Sequence, residues 1–442
     1  MIPDLRQLLF LLLGLAATGS GSVWGATYYV APPPGGSDAN PGTFAAPWAT
    51  LQKAADTIQA GDTVLVRAGQ YAGGHFTTSG TPGLPIVLQA YQRELVEITA
   101  DNPVTPDGIN LEGASWMTVE GLSVDGRGRA GIRAVLCDHV TLRGNRLDGN
   151  QTWGIFTGFC DDLLIEDNEC ANSIVEHGIY VSNSGDRPTV RRNTIWGNNA
   201  NGIHMNGDVS QGGDGIISGA LIAENEIFDN GVGGGSGINL DGVQDSIIRN
   251  NLIFDTHASG ISLYRIDGGG PSMGNQVVHN TVIVASDGRW ALNVGDGSTG
   301  NTVLNNVFYS YHGYRGGVSI DADSLAGLTS DHNAVEDRFT VDGGDTVMTL
   351  AEWQMLTSED ANSLAATPEE LFVAPAVGDF ELEIGSPAVD GGENLFDVLT
   401  DRLGRPRPIG PGFDIGAHEG AGILFADGFE EDGVSRWSAV LP

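Results

Sequence analysis

The sequence predicts an all-β fold, a parallel β-helix in which short strands wind into a stacked solenoid. Three observations lead to this prediction: a Gly-Ile dipeptide recurs, an Asn marker recurs in step with it, and the intervening segments alternate apolar and polar residues. Two markers that keep step define one repeating structural unit. A unit this short cannot bury its own apolar face, so the units must stack on one another.

The Gly-Ile dipeptide gives the period of the repeat. Successive copies are 23, 23, 24, 24, 35 and 23 residues apart, and they begin at Gly108, Gly131, Gly154, Gly178, Gly202, Gly237 and Gly260. The segments that follow, such as GIYVS and GIHMN, alternate apolar and polar side chains, which is the periodicity of a strand. Each Ile is therefore expected to point into the solenoid.

The second marker is an Asn followed two residues later by a mostly apolar residue. It stands at Asn145, Asn168, Asn193, Asn225, Asn251, Asn280, Asn306 and Asn333. Adjacent coils of a solenoid lie about 4.8 Å apart, so equivalent Asn side chains can hydrogen-bond to one another at an inner turn. We predict that the first five of these residues form one stacked column.

Composition and charge exclude several kinds of protein. The chain has 442 residues, 65 of them Gly, and a formal net charge of −35. Lys53 is the only lysine, beside 20 arginines. Nucleic acid is therefore not an expected partner, since no basic stripe is present. A polyanionic substrate requires a cation or local arginines to offset the repulsion.

The ends of the chain differ from the repeats. An apolar run near the N-terminus, LLFLLLGLAA, is too short to cross a membrane and indicates a signal peptide. We predict a signal peptide (1–25), an N-terminal cap (26–103), coils (104–340), a C-terminal capping module (341–420) and an acidic tail (421–442). The mature protein is expected to be a secreted or cell-surface monomer without a membrane span.

Two cysteines are expected to stack on adjacent coils. Cys137 and Cys160 each follow a Gly-Ile glycine by six residues. A disulfide could span that separation in an oxidising compartment, and a plain stack of two small apolar side chains is the alternative. Cys170 would remain unpaired in either case.

These segments resemble a known group of proteins. Coils such as HGIYVSNSGDRPTVRRNTIWGNN, and the N-terminal segment PWATLQKAADTIQAGDTVLVRAGQY, resemble secreted right-handed parallel β-helix proteins of the pectate-lyase superfamily. The N-terminal cap is most similar to that of family 9 polysaccharide lyases. The resemblance implies an exported protein that acts on an extracellular polysaccharide. Those lyases use a lysine base and an aspartate cluster that holds calcium, but Lys53 lies in the cap segment, away from the central coils.

Outward side chains of the Gly-Ile strands are expected to form two columns on one face of the solenoid. The first column is Asn110, Arg133, Phe156, Tyr180, His204, Asn239 and Ser262, and the second is Glu112, Val135, Gly158, Ser182, Asn206, Asp241 and Tyr264. Titratable residues gather in the later coils, beside the two longest insertions in the repeat. Long turns beside a polar strand face build the walls of a groove.

This groove contains the residue types that uronate chemistry requires. We expect His204 or Tyr264 to act as the base, Tyr180 as the acid and Arg265 as the clamp for the substrate carboxylate. Other residues expected to contact substrate are His177, Asn206, Asn239 and Phe156.

Two aspartates at the same face, Asp208 and Asp241, are expected to hold calcium through their carboxylate oxygens. The favoured function is a calcium-assisted lyase or epimerase acting on an acidic polysaccharide. One alternative is a glycoside hydrolase that uses Asp208 and Asp241 as its carboxylate pair. The other is a non-catalytic glycan-binding or adhesion protein, in which the polar columns are a solvated surface and the aspartates cap turns.

Overall fold

The computed structural model describes residues 25–420, and it forms the predicted parallel β-helix. Each coil passes in turn through three parallel sheets, here called sheets 1, 2 and 3. The predicted signal peptide, except for Gly25, and the acidic tail lie outside the described residues. No helix within residues 25–420 is both long and apolar enough to cross a lipid bilayer.

The three sheets contain nearly all the strands. Sheet 1 consists of Thr27–Val30, Thr63–Val66, Ile86–Ala90, Met117–Glu120, Thr141–Arg143, Leu164–Glu166, Thr189–Arg191, Leu221–Ala223, Ile247–Arg249, Gln276–Val278, Thr302–Leu304 and Thr329–Asp331. Sheet 2 consists of Gly69–Ala72, Val96–Ala100, Ser123–Asp125, Arg146–Asp148, Glu169–Ala171, Thr194–Trp196, Glu226–Phe228, Leu252–Thr256, Thr281–Val284, Val307–Ser310, Ala334–Val335 and Leu364–Ala365. Sheet 3, which carries the Gly-Ile strands, consists of Gly74–Phe76, Ile109–Glu112, Ala130–Val135, Trp153–Gly158, Ile179–Ser182, Ile203–Asn206, Ser236–Asp241, Ser259–Tyr264, Leu292–Val294, Val318–Ile320 and Phe339–Thr340.

The remaining elements are short. Two small strand pairs are Ile217–Ser218 with Val243–Gln244 and Phe372–Ala374 with Asp379–Leu382. The α-helices are Leu51–Ala55, Leu350–Thr357 and Pro368–Leu371, and single 3-10 turns occur at Tyr91–Arg93, Val209–Gln211, Ala322–Ser324 and Pro375–Val377. The strands begin at Thr27, so one complete coil (Thr63–Val66, Gly69–Ala72 and Gly74–Phe76) and the first two strands of the next lie within the segment 26–103 that was predicted as a cap.

The predicted Asn column exists and is longer than its first five members. Each Asn in it accepts, at its Oδ1, both the backbone N–H and the side-chain N–H of the Asn one coil earlier, at about 3.0 Å. The ladder runs from Asn145 to Asn333, which donates to the Asp360 carboxylate at 3.1 Å. The left-handed backbone lies at the residue before each Asn, such as Arg192 before Asn193, and not at the Asn itself.

Glycine is required in the Gly-Ile dipeptide because side chains of sheet 2 approach closely there. A Cβ atom at Gly178 would lie 2.5 Å from Cγ2 of Ile195, on sheet 2. A Cβ atom at Gly202 would lie 2.6 Å from Cγ2 of Ile227. The isoleucines that follow these glycines are fully buried, as predicted.

Helices close both open ends of the core. Leu51–Ala55 follows an N-cap at Thr50 and buries Leu51 against the first strand of sheet 3. At the other end Trp353 is fully buried, stacks on Phe339 and donates to Asp360 at 2.8 Å. Both helices cover apolar residues that the terminal coils would otherwise expose to water.

The C-terminal module folds back along the outer face of sheet 2. Phe380 and Ile415 pack there in one apolar cluster with Leu252 and Val307. The amide of Asn305 and the backbone of Glu393 exchange two hydrogen bonds of 2.8 Å. The module therefore leaves the outer face of sheet 3 uncovered.

Cys137 and Cys160 stack on adjacent coils as predicted, and they are free thiols. The backbone N–H of Cys137 donates to the sulfur of Cys160 at 3.3 Å. Cys170 is also free, and all three are buried.

Replacement of Asn225 by Ala should destabilise the fold strongly, because it removes a ladder residue that bonds to Asn193, Asn251 and the Val190 carbonyl. Buried partners left unsatisfied cost about 1–3 kcal/mol each, so we expect the free energy of unfolding to fall by roughly 3 kcal/mol or more. The control is Asn199→Ala, since Asn199 donates one hydrogen bond near the surface. Denaturant unfolding followed by circular dichroism measures both, and equal losses would contradict the ladder's role.

Candidate functional site

The first predicted column lies in register on the outer face of sheet 3. Its members pair directly from one coil to the next, in the order Asn110, Arg133, Phe156, Tyr180, His204, Asn239 and Ser262. The second column is in register as well, from Glu112 to Tyr264. The structure extends the first column by His75 at its start and by Asn293, Ser319 and Thr340 at its end.

A chain of hydrogen bonds joins the two histidines predicted at this face. Nε2 of His177 lies 3.1 Å from Nδ1 of His204. Nδ1 of His177 lies 3.2 Å from both the backbone nitrogen and the amide nitrogen of Asn201. The amide orientation of Asn201 is fixed because its Oδ1 accepts the backbone N–H of Ser236 at 2.6 Å.

This chain determines where the imidazole protons lie. A backbone N–H can only donate, so Nδ1 of His177 is an acceptor and the proton of the neutral ring lies on Nε2. That proton is donated to Nδ1 of His204, which leaves the proton of His204 on its own Nε2. Nε2 of His204 is buried and has no hydrogen-bond partner among the described residues. The network therefore favours a donor role for His204 over the base role expected from the sequence.

Burial keeps both rings neutral. It lowers the pKa of His177 well below its usual range, and the neighbouring His204 lowers that pKa further. Burial lowers the pKa of His204 to about 4. A ring that carries one fixed proton at neutral pH presents a fixed hydrogen-bond donor.

Aromatic side chains surround the histidine pair. The ring of Tyr180 stacks on His204 with centroids 4.8 Å apart and planes 8° from parallel. Phe156 and Trp153 continue this cluster toward the earlier coils. The Tyr180 hydroxyl accepts from Nδ2 of Asn206 at 3.3 Å, and burial raises the pKa of Tyr180 to about 12. The phenol is thus a proton donor at neutral pH.

The two predicted calcium ligands instead cap turns. The Asp241 carboxylate is buried and accepts the backbone N–H groups of Ile266, Asp267 and Gly268 at 2.8–3.0 Å. Asp208 accepts the backbone N–H of Ser210 at 3.1 Å. A metal at Asp241 would compete with three backbone donors, so these residues do not fit the predicted calcium site.

A different cluster meets the spacing of a metal site. Within residues 25–420, the only three potential ligands with atoms all within 4.8 Å of one another are Asp229, Asp255 and His257. Asp255 lies in the sheet 2 strand Leu252–Thr256, and Asp229 and His257 directly follow strands of that sheet. Both ring nitrogens of His257 already pair with carboxylates, those of Asp229 and Asp287, at 2.9–3.0 Å.

A cleft of about 320 Å³ opens on sheet 3 beyond the histidine pair. Its lining is mostly polar and consists of Gly235, Ser236, Asn239, Ser259, Ser262, Tyr264, Ile266, Arg289, Asn293, Gly295, Asp296 and Asp321. Burial raises the pKa of Tyr264, with a further contribution from the negative charge of Asp241. Tyr264 therefore also stays protonated at neutral pH.

Arg289 is the cation of this cleft. Its guanidinium makes no ion pair within residues 25–420, and its one hydrogen bond there goes to the Gly235 carbonyl at 3.3 Å. Burial lowers the pKa of Arg289, and the nearby Arg315 adds to the effect. Arg265, which was expected to be the clamp, is exposed in the turn after sheet 3 and donates to the Gly268 carbonyl at 3.3 Å.

Two carboxylates, Asp296 and Asp321, also line the cleft. Burial raises the pKa of Asp321, as do the negative charges of Asp323 and Asp296. Arg289 and both carboxylates were not predicted from the sequence, because the Gly-Ile dipeptide becomes Ala-Leu at Ala291. A search for any small residue followed by an aliphatic one would have continued the period to this coil.

Comparisons with known proteins agree with this architecture. A model of the Pel9A-like right-handed β-helix region matches residues 28–173, and a model of the right-handed β-helix region matches residues 176–341. The chain is a right-handed β-helix protein that resembles pectate lyases. The predicted handedness is thereby confirmed.

Two curated relatives match short segments. The pectate lyase PEL9 of Emericella nidulans is 40% identical over 89 residues, which are 19% of this chain and 21% of the relative. The uncharacterized protein YwoF of Bacillus subtilis is 41% identical over 73 residues, 16% of this chain and 15% of the relative. The matches thus span about a fifth or less of the relatives' length.

Solved structures share the fold over most of the chain. The pectate lyase Pel9A superposes with a TM-score of 0.56 and 15% identity over 90% of this chain and 97% of its own. A rhamnogalacturonan lyase superposes with a TM-score of 0.53 and 17% identity over 79% of this chain and 91% of its own. XylC in complex with xylose superposes with a TM-score of 0.54 and 10% identity over 90% of this chain and 99% of its own. At these identities the likeness concerns the fold.

The imidazole of His204 should not titrate near neutral pH. Its NMR resonances should shift only as the pH falls toward about 4. The resonances of His257 should titrate with a pKa above the usual value for histidine, since pairing with Asp287 and Asp229 outweighs the effect of burial. Between about pH 6.5 and 4 the unfolded chain is protonated at His204 and the folded chain is not. The contribution of this group to stability, fully present above pH 6.5, should therefore be lost progressively as the pH falls from 6.5 to about 4. A His204 midpoint near 6.5 would contradict the assignment.

Proposed function

We propose that this protein cleaves or epimerises an acidic, uronate-containing extracellular polysaccharide at the outer face of sheet 3. The observation that carries the proposal is the half-buried Arg289, which has no carboxylate partner among residues 25–420 in a chain of formal charge −35. The likeness of the fold to pectate and rhamnogalacturonan lyases supports a polysaccharide as substrate. The predicted signal peptide supports action outside the cell.

Arg289 would bind the uronate carboxylate. A guanidinium that has lost part of its hydration gains most from a carboxylate that pairs with it through two parallel hydrogen bonds. Burial without an ion pair is unfavourable for the free protein, and an anionic ligand would remove that penalty. The same pair would neutralise the carboxylate and so acidify the adjacent C–H bond.

The proton transfers would fall to neighbours of Arg289 in the cleft. Asp321 would accept the proton from the carbon next to the carboxylate, because its raised pKa makes it a stronger base than an ordinary Asp. In the elimination, the electrons of that C–H bond form a double bond as the bond to the glycosidic oxygen breaks. The phenol of Tyr264 would protonate the departing oxygen. In an epimerisation the glycosidic bond stays intact, and the phenol of Tyr264 would return a proton to the same carbon from the opposite face.

Calcium is implied by the resemblance to pectate lyases, but no step here depends on it. Asp208 and Asp241 are committed to turns, and the cleft already contains a cation in Arg289.

A glycoside hydrolase is the second candidate function, on different residues from those expected. Asp296 and Asp321 line one cleft and interact electrostatically. A carboxylate pair in which one member has a raised pKa is the arrangement that glycoside hydrolysis requires. The products distinguish the two functions, because hydrolysis creates no carbon–carbon double bond.

The test is a panel of pectate, alginate and unsulfated chondroitin, assayed for unsaturated products by ultraviolet absorbance and for proton exchange by NMR. Arg289→Gln should reduce kcat/KM by about a hundredfold or more, because the substrate carboxylate loses its counter-ion. Tyr264→Phe should reduce kcat/KM by a similar factor, because the departing oxygen loses its proton donor. Addition of a chelator to the wild type measures any calcium requirement.

Two arginine variants serve as controls. Arg93 lies on the distant N-terminal coils, so Arg93→Gln should change kcat/KM by less than about twofold. Arg265→Gln compares the turn arginine directly with Arg289. If only Arg265→Gln reduced kcat/KM, the substrate carboxylate would be assigned to Arg265 in the turn and not to Arg289. A wild type that binds these glycans without any product would support the non-catalytic binding protein.

A further inference from the structure

Two buried polar atoms on adjacent coils have no partner within residues 25–420. One is Nε2 of His204 and the other is Oδ1 of Asn239. The two residues are direct register partners in sheet 3, and Asn239 is 7% exposed. Unpartnered buried groups are rare in proteins and call for an explanation.

A single side chain, Asn201, determines the polarity of both atoms. Its N–H groups fix His177 as described above, which leaves His204 with a proton on Nε2. Its Oδ1 accepts the amide nitrogen of Asn239 at 2.8 Å, which leaves Oδ1 of Asn239 as the free end of that amide. The site therefore offers one donor and one acceptor, on coils about 4.8 Å apart.

A hydroxyl group is the ligand that satisfies both atoms, because it accepts through its oxygen and donates through its proton. A carboxylate has no proton to give to Asn239, and an ammonium has no lone pair for His204. The site differs in this respect from Arg289, which suits an anion. Asn239 also lines the cleft with Arg289 and Tyr264, and His204 is its register partner on the preceding coil.

We propose that His204 and Asn239 together bind one free hydroxyl of a sugar residue, which makes the protein selective against glycans esterified at that position. The inference rests on the proposed polysaccharide function and specifies its substrate. An acyl group on that oxygen would remove the proton that Asn239 accepts and would place carbon atoms in a buried site. A site built to hydrogen-bond a hydroxyl rejects analogues that lack it.

The test measures binding, so it does not depend on turnover. Trigalacturonate, its O-acetylated form, and alginate and chondroitin trisaccharides are titrated by calorimetry. We expect a free-hydroxyl trisaccharide to bind about tenfold or more tightly than its acetylated form. In the ¹⁵N-labelled protein, the NMR resonance of the proton on Nε2 of His204 should shift on binding.

Variants then test the two atoms separately. His204→Phe keeps an aromatic ring against Tyr180 but removes the donor, and Asn239→Leu removes the acceptor. Each should reduce the preference for the free hydroxyl to about twofold or less. His75→Phe is the matched control, since His75 occupies the same column on the first coil of sheet 3, and it should leave the preference unchanged.

Several outcomes would overturn the proposal: equal wild-type affinity for free and acetylated sugars, an unchanged preference in both variants, or no shift of the His204 proton with any sugar tested. Failure of the proposed chemistry looks different. Selective binding without any unsaturated or exchanged product would support the hydroxyl site and contradict the lyase and epimerase functions.

Discussion

The hydrogen bonds between equivalent asparagines are the interaction on which the rest of this structure depends. Each buried Asn ties the backbone and the side chain of one coil to the next, so the coils cannot slip in register. Register in turn places Tyr180, His204 and Asn239 directly above one another on sheet 3. A displacement of one residue would turn these side chains into the core. The chemistry at the surface is therefore fixed by amides that never meet a ligand.

The fold could be read from the sequence because its two markers have physical causes that act locally. Gly178 and Gly202 have no room for a Cβ atom, and Asn193 must bond to both neighbouring coils, so the pattern appears in the sequence itself. The outward columns followed from strand alternation alone. Coiling within residues 26–103 was harder to foresee, because strands such as Thr63–Val66 carry neither marker.

The site was less predictable because its hydrogen bonds join residues that are far apart in the chain. Aspartate is usually a surface residue, yet the Asp241 carboxylate accepts hydrogen bonds from backbone N–H groups that lie about 25 residues later in the chain. The tautomer of His204 depends on Asn201 acting through His177, which no spacing rule reveals. Arg289 is distinguished by a spatial property: it lacks, within residues 25–420, the acidic partner that arginines such as Arg192 have on the neighbouring coil.

The residues that join the coils are separate from those that form the outer surface, and this separation has an evolutionary consequence. Each coil from Asn145 to Asn333 contributes the same buried Asn to its neighbours, whatever side chains it displays outside. A coil therefore behaves as a cassette: duplication, loss or exchange of one whole coil would leave the internal joints intact while changing one rung of the sugar-facing surface. New specificities in such a chain can arise in steps of a single coil, without any need to invent a new fold.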